Sequence, residues 1–363
     1  MPEIHAARRR RAQQLIREAD ADAALITARP NVRYLTGLAS SNAALLLPAD
    51  GTGLLATDSR YELAARRDAP DLELTVGRFV EPLLAAELSR RGVRRAAVET
   101  HDLTVDRYEE VAAAAENVAL ISFINKVEEL RAVKDPSELE LIGTACRITD
   151  QALADVLPLI RPGLSERALA AALDHRMGAL GAERPSFDTI VASGPNGALP
   201  HHVPTGRPLR RGDLITMDFG AQFAGYHADM TRTVVLGEPA DWQRDVYELV
   251  ATAQRAGCTA ARPGAALREV DAAARDLIAE AGHGQHFGHG LGHGIGLEVH
   301  EAPLIGYGST GKLESCVPVT VEPGVYLPGR GGVRIEDVLI VGAGTADGTA
   351  QILTTTTKEL LAL

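Results

Sequence analysis

The chain has 363 residues, is 45% apolar and carries a net charge of −11. That length exceeds most single cores, so about two or three domains are expected, and the acidic balance argues against nucleic acid or an anionic membrane as the main partner. Cys146, Cys258 and Cys316 are odd in number and far apart, which excludes a disulfide framework and a CxxC site; buried thiols in a reducing cytosol are the expectation.

In chain order, apolar periodicity predicts a helix over Ala6–Ala19, with the basic run Arg8 to Arg11 as its solvated face. A short strand Ala23–Thr27 and a turn at Arg29-Pro30-Asn31 follow, then strands Ala43–Leu47 and Gly53–Ala56 joined by Pro-Ala-Asp-Gly. A helix beginning near Ser59, a strand Leu72–Val76, a helix Glu81–Arg90, a strand Ala96–Val98, a helix Val105–Ala115 and a strand Val118–Ser122 complete a small α/β unit. No apolar run approaches membrane-spanning length, and no apolar segment follows the charged N-terminus. A cytoplasmic protein without a membrane partner is therefore expected.

The texture changes at Asn125. Asp135-Pro136-Ser137-Glu138 is a helix-start signal before an apolar-periodic segment reaching about Pro158. The domain boundary is accordingly placed between 124 and 125, giving an N-terminal α/β domain over 1–124 and a second domain over 125–363. In the second, helices near 165–181, 241–261 and 265–281 alternate with glycine-rich, strand-forming stretches around 187–237 and 283–342. The candidate ligands collect only there.

The segment FGHGLGHGIGLEVHE (287–301) holds three of the eleven histidines and five glycines. A phosphate loop would need a helix opening after the glycines, and a zinc helix would suffer roughly 1 kcal/mol per glycine. Glycine at every second position suits instead an extended chain with one face stripped for close approach. His293 and His300 are seven apart, which puts them on opposite faces of a regular strand. If both serve one site, the chain must bend between Gly294 and Val299. His283 and His286 are read as structural.

Two stretches read as hairpins that pair carboxylates. In LITMDFGAQFAGYHADMTRTVVL, a turn centred on Phe223-Ala224 places Asp218 opposite Asp229, with Cβ atoms roughly 4.5–5.5 Å apart. In VTVEPGVYLPGRGGVRIEDVLI, a turn centred on Gly329 places Glu322 opposite Glu336. Carboxylates inside such apolar runs are costly unless something cationic holds them ionised. Four of them balance two divalent cations, with one imidazole as a fifth ligand. Oxygen-rich ligation with a single nitrogen favours Mn²⁺, with Co²⁺ or Zn²⁺ as alternatives.

The chain resembles the aminopeptidase P and prolidase family of pita-bread metallopeptidases. The resemblance is carried by FDTIVASGPNGALPHH (187–202), GDLITMDFGA (212–221), YHADMTRT (226–233), GHGLGHGIGLEVHE (288–301), VEPGVY (321–326) and RIEDVL (334–339). It implies an α/β N-terminal domain followed by an α+β pita-bread, creatinase/aminopeptidase-like catalytic domain. It also implies that Asp218, Asp229, His293, Glu322 and Glu336 hold two divalent ions. His201, His289, His300 and Arg334 match substrate-binding positions, and His202 is a secondary candidate. Glu322 would act as general base and then acid. His300 and His289 would hydrogen-bond the carbonyl, while His201 and Arg334 position the substrate.

The implied activity is cleavage of the Xaa-Pro bond at the N-terminus of proline-containing dipeptides or short peptides by a homodimer or dimer of dimers, prolidase being favoured over aminopeptidase P. Gly206 stands where an acidic residue is common, and Leu38-Ala39-Ser40-Ser41 replaces a Gly-Phe-x-Gly-like run, which bears on the length of peptide accepted. The alternatives are a metal-free creatinase-like hydrolase, which the retained carboxylates oppose, and a catalytically silent binding protein.

Overall fold

The computed structural model describes residues 2–344 and 348–363. The chain divides into two compact units, one ending at Arg131 and one beginning at Ala132. That division lies seven residues beyond the 124/125 boundary read from the sequence, because the helix Lys126–Ala132 belongs largely with the first unit. The Tyr34 hydroxyl donates to the Leu130 carbonyl, and Arg131 donates to the Asn31 side chain.

The first unit is built on a six-stranded mixed sheet in the order Glu73–Val76, Leu54–Thr57, Ala43–Pro48, Ala23–Ile26, Arg95–Val98, Ala119–Ser122. Every residue of Ala23–Ile26 is buried, as a strand with neighbours on both edges and cover on both faces requires. The turn expected at Arg29-Pro30-Asn31 is instead the first turn of a helix, Arg29–Thr36. Pro30 sits where a helix has no use for an N–H, and Gly37 ends the helix with a left-handed φ of 81°. The helix expected near Ser59 begins at Glu62.

The basic run at the N-terminus is not a wholly solvated face. Arg8 and Arg9 are buried, Arg8 donating to the Tyr34 carbonyl and stacking on its ring, Arg9 donating to the Leu35 carbonyl and pairing with Asp71. Their long apolar stems cover core while the guanidinium heads satisfy helix-end carbonyls.

In the second unit, helix Pro136–Val156 starts at the capping box formed by Asp135 and Glu138. With helix Glu166–Ala179 it packs on the sheet Met230–Val235, Leu214–Phe219, Ile190–Ser193, around Leu153, Leu173, Met217 and Phe219. Helices Asp241–Ala260 and Leu267–Glu280 pack on a five-stranded sheet in the order Glu301–Ile305, Gly292–Gly294, Pro318–Val321, Asp337–Ile340, Gln351–Ile352. Among the described residues no helix is long and apolar enough to cross a membrane. Cys146 is buried, Cys258 and Cys316 are half-buried, and all three are free thiols.

Candidate metal centre

Asp218 lies on strand Leu214–Phe219, which runs antiparallel to Met230–Val235, and its partner is Thr231, not Asp229. The hairpin tip is Ala224-Gly225, both with positive φ (48° and 82°), rather than Phe223-Ala224. A two-residue turn with both central residues left-handed matches strand twist, and Gly225 is the residue that adopts it without strain. The register is therefore two residues from the expected one. A shift of two restores side-chain direction, so Asp218 and Asp229 still share a face.

The second hairpin has the register read from the sequence. Val321 pairs with Asp337 and Gly324 with Arg334, so Glu322 and Glu336 fall opposite one another at the break between the two ladder segments. His293 comes from Gly292–Gly294, squeezed between Glu301–Ile305 and Pro318–Val321. The register shifts between His293 and Gly294, and residues 296–300 bend. His300 thereby folds back until the two imidazoles lie 4.3 Å apart between ring centres, the bend that their odd spacing demanded.

These side chains converge on one cavity of about 700 Å³, also lined by His201, His289, Arg334, Phe187, Ile190 and Tyr307. His293 Nδ1 donates to the Gly294 carbonyl, which turns Nε2 toward Glu322 Oε1 at 3.3 Å and Asp229 Oδ2 at 3.7 Å. Ligand atoms of Asp229, His293 and Glu336 all lie within 4.8 Å of one another. Asp218 Oδ1, Asp229 Oδ1 and Glu336 Oε1 are buried without a hydrogen-bond partner among the described residues. Orphaned carboxylate oxygens facing an imidazole lone pair fit a cation, and a histidine whose other nitrogen donates to a carbonyl has the support a metal ligand needs.

The electrostatics agree. Burial, reinforced by the neighbouring carboxylates, pushes Asp229 and Glu336 well above the usual carboxylate range. Burial would raise Glu322 as well, but its contact with His293 and the nearby His289 and Arg334 charges bring it below. His293 is raised, the bond and charge of Glu322 outweighing burial.

The remaining site residues sort by whether their polar atoms are free. Arg334 is buried and engages Asp218 Oδ2 (2.6 Å), the Tyr326 hydroxyl (2.9 Å), Thr231 Oγ1 (3.0 Å) and the Pro200 carbonyl (3.4 Å), four of a guanidinium's five donors. It aligns Asp218 more than it reaches substrate. His289 has both nitrogens occupied, Nδ1 at the Gly290 carbonyl and Nε2 at the Tyr326 hydroxyl, each 2.8 Å away. In this arrangement it has no spare N–H for the substrate carbonyl that it is expected to bond. His201 and His300 line the cavity and make no hydrogen bond among the described residues, so their ring nitrogens are unspent. His202 is turned away, with Nε2 2.9 Å from Glu166. His283 and His286 lie against one another, their rings tilted by 48° with centres 5.3 Å apart.

Sequence reasoning missed Tyr326, which ties His289 to Arg334, and Thr231, which donates to Glu336 at 2.7 Å and accepts from Arg334. Each lies an even number of residues from a carboxylate on its own stretch, Tyr326 from Glu322 and Thr231 from Asp229. Strand periodicity could have nominated both. In the first unit Glu99, His101 and Glu128 also approach within 4.8 Å. There Glu99 accepts from the Thr27 and Ala28 amides and the Asn31 side chain, and burial lifts it to about 7.

The chain matches the model of metallopeptidase family M24 over residues 140–343 and the creatinase/prolidase N-terminal domain over 8–133. It is 36% identical over 343 residues to an Xaa-Pro dipeptidase of Pyrococcus horikoshii, covering 94% of each chain. Among solved structures it resembles an Xaa-Pro dipeptidase from Bacillus anthracis (TM-score 0.94, 37% identity, 99% of this chain and 100% of that one). It also resembles an X-Pro aminopeptidase from Thermotoga maritima (TM-score 0.89, 36% identity, 98% and 99% covered). The fold is that of the pita-bread enzymes, a creatinase-type N-terminal domain before the catalytic one. The chain belongs to metallopeptidase family M24.

Proposed function

We propose that the chain is a metal-dependent Xaa-Pro peptidase that removes the residue preceding proline at the N-terminus of dipeptides or short peptides. Asp218, Asp229, His293, Glu322 and Glu336 would hold two divalent ions, Mn²⁺ being the choice that four carboxylates and one imidazole favour. The observation that carries this reading is the set of three buried carboxylate oxygens, without a hydrogen-bond partner among the described residues, on the side chains that line one cavity with His293. A metal-free reading leaves those oxygens without explanation.

Divalent ions at that position supply Lewis acidity, lowering the pKa of water toward neutrality and polarising a carbonyl. Glu322, a carboxylate with a lone pair to spare, would take a proton from the attacking water and return it to the departing proline nitrogen. His300, whose pKa burial lowers, would offer one N–H to the carbonyl oxygen that gains negative charge as its carbon becomes tetrahedral. His201 contacts the substrate, and the Tyr326–Arg334 pair keeps Asp218 and His289 in place.

A second reading, aminopeptidase action on longer peptides, is favoured by the cavity lining. Among its described residues it contains one arginine, the largely committed Arg334, and no lysine. A dipeptide brings a free carboxylate that no uncommitted arginine or lysine of this lining would pair, whereas a longer peptide brings a neutral amide to the same place. The test is hydrolysis of Ala-Pro against Ala-Pro-Ala with Mn²⁺ and a chelator control. Ala-Pro alone cleaved means a dipeptidase, Ala-Pro-Ala cleaved at higher kcat/KM means an aminopeptidase, and neither cleaved sinks the proposal. The same reading takes a reducing cytosol, which the free thiols suit, and a homodimer or dimer of dimers, which light scattering checks.

A further inference from the structure

Outside the metal centre, the most heavily hydrogen-bonded carboxylate of the second unit is Glu166, the first residue of helix Glu166–Ala179 and fully buried. Oε1 accepts from the Ser193 amide (2.9 Å), the Ser193 hydroxyl (2.7 Å) and the Asn196 side chain (2.9 Å). Oε2 accepts from His202 Nε2 (2.9 Å), the Thr205 amide (3.1 Å) and the Thr205 hydroxyl (2.7 Å). Burial acts to raise this carboxyl, but the bonds from Thr205, His202, Ser193 and Asn196 outweigh it and bring it to about 2. It is a permanent anion that no step of the proposed mechanism uses.

All six donors belong to one segment, 193–205, gripped near both ends. Between the grips the segment is held at Gly197, which packs on Gly332, and by the Arg334 bond to the Pro200 carbonyl, while Leu199 and Val203 are 57% and 78% exposed and His201 makes no hydrogen bond among the described residues. Yet Pro200 and His201 line the catalytic cavity, while the next side chain, His202, is buried against Glu166. A further layer backs the grip, because Arg207 donates to the Ser193 hydroxyl while its guanidinium pairs with Asp213.

We infer that Glu166 is a positioning residue that aims His201 into the active-site cavity, acting through His202 and the ends of the 193–205 segment. Holding His202 inward sends its neighbour outward, and the Ser193 and Thr205 bonds fix the height at which the imidazole enters. The inference rests on the Xaa-Pro peptidase reading for the role of His201, but the aiming itself is a property of the fold. Catalytic groups need support of this kind because a displacement of about 1 Å costs on the order of a hundredfold in rate.

Glu166→Gln puts an amide N–H₂ against hydrogen-bond donors, and His202→Phe removes only the link nearest His201. Each is compared with His201→Ala and with the double variants, in Mn²⁺-loaded full-length protein. The expected result is a rise in KM of about tenfold for the better of Ala-Pro and Ala-Pro-Ala, with a smaller change in kcat and wild-type metal content. In the His201→Ala background neither substitution should cost anything further, since residues acting through one contact are not additive. Equal losses in both backgrounds, or wild-type KM in both single variants, would overturn the inference. A second readout needs no turnover: in protein loaded with diamagnetic Zn²⁺, the imidazole resonance of His201, assigned from its absence in His201→Ala, should shift or broaden in Glu166→Gln and in His202→Phe. An unmoved resonance refutes the aiming role even if neither peptide is cleaved, and a moved one with neither peptide cleaved faults only the peptidase reading. Should Glu166→Gln fail to fold, His202→Phe carries both measurements.

Discussion

Replacing Gly292 by alanine tests whether the glycines around His293 exist to admit a neighbouring backbone. A Cβ at this position would run into the Thr320 carbonyl, 2.7 Å from its carbon and 3.0 Å from Thr320 Oγ1. Ordinary contact between such atoms is about 3.5–4.0 Å, so strands Gly292–Gly294 and Pro318–Val321 must part by about 1 Å. Both strands lead to the metal centre. The His293 amide donates to Thr320 Oγ1 at 3.0 Å, and that hydroxyl reaches Glu322 Oε1 at 3.4 Å. Overpacking of this kind costs about 1–3 kcal/mol, and 2 kcal/mol lowers Tm by about 4–8 °C in a unit of this size. Displacing His293 and Glu322 by about 1 Å adds a loss on the order of a hundredfold in kcat/KM. Gly288→Ala is the control, since a Cβ there meets nothing within 4 Å. Differential scanning fluorimetry and Xaa-Pro hydrolysis on both variants decide the matter. A Gly292→Ala enzyme indistinguishable from Gly288→Ala in Tm and kcat/KM would refute the close-approach argument.

Three further outcomes are expected. Asp218→Asn removes the charge that Arg334 aligns and should cut turnover by orders of magnitude in a folded protein; near-normal activity at full metal occupancy would remove Asp218 from the ligand set. Metal-free protein should lose stability as pH rises. Asp229 and Glu336 are raised in the folded state by burial and by their acidic neighbours, so their stabilising contribution is complete below the unfolded carboxylate pKa of about 4 and disappears as pH climbs through the raised values. Ligation needs both ionised, so the Tm gap between Mn²⁺-loaded and chelator-treated protein should widen from pH 5 to pH 8, and a constant gap would count against the assignment. Finally, Ala224→Gly should raise Tm slightly, because alanine at a φ of 48° carries roughly 1 kcal/mol of strain that glycine lacks; a lower Tm would mean the alanine methyl is needed in the turn.

The two carboxylate pairs were legible for a simple reason. Strand periodicity assigns faces from sequence spacing alone, and both carboxylate pairs emerged from it. The spacing of His293 and His300 announced a bend because no straight strand could serve both. What stayed hidden depended on contacts between distant segments. His289 is committed to Tyr326, thirty-seven residues on, and Glu166 gathers donors from Ser193 to Thr205. The helix at Arg29–Thr36 was missed because Pro30 was read as a breaker, although proline is at home in a first helical turn. Arg8 and Arg9 were misjudged because charge was read without the reach of the side chain.

The left-handed tip at Ala224-Gly225 sets what length changes this hairpin can absorb. Adding or deleting one residue on each strand moves the tip along the ladder and leaves Asp218 and Asp229 looking the same way. One unmatched residue within the paired strand on either side of the tip would instead have to bulge out or turn one carboxylate to the far side of the sheet. The tip itself is no free loop, since Ala224 is half-buried and Gly225 is buried with its amide donating to Glu183, so a change of length there disturbs packing before it disturbs the carboxylates.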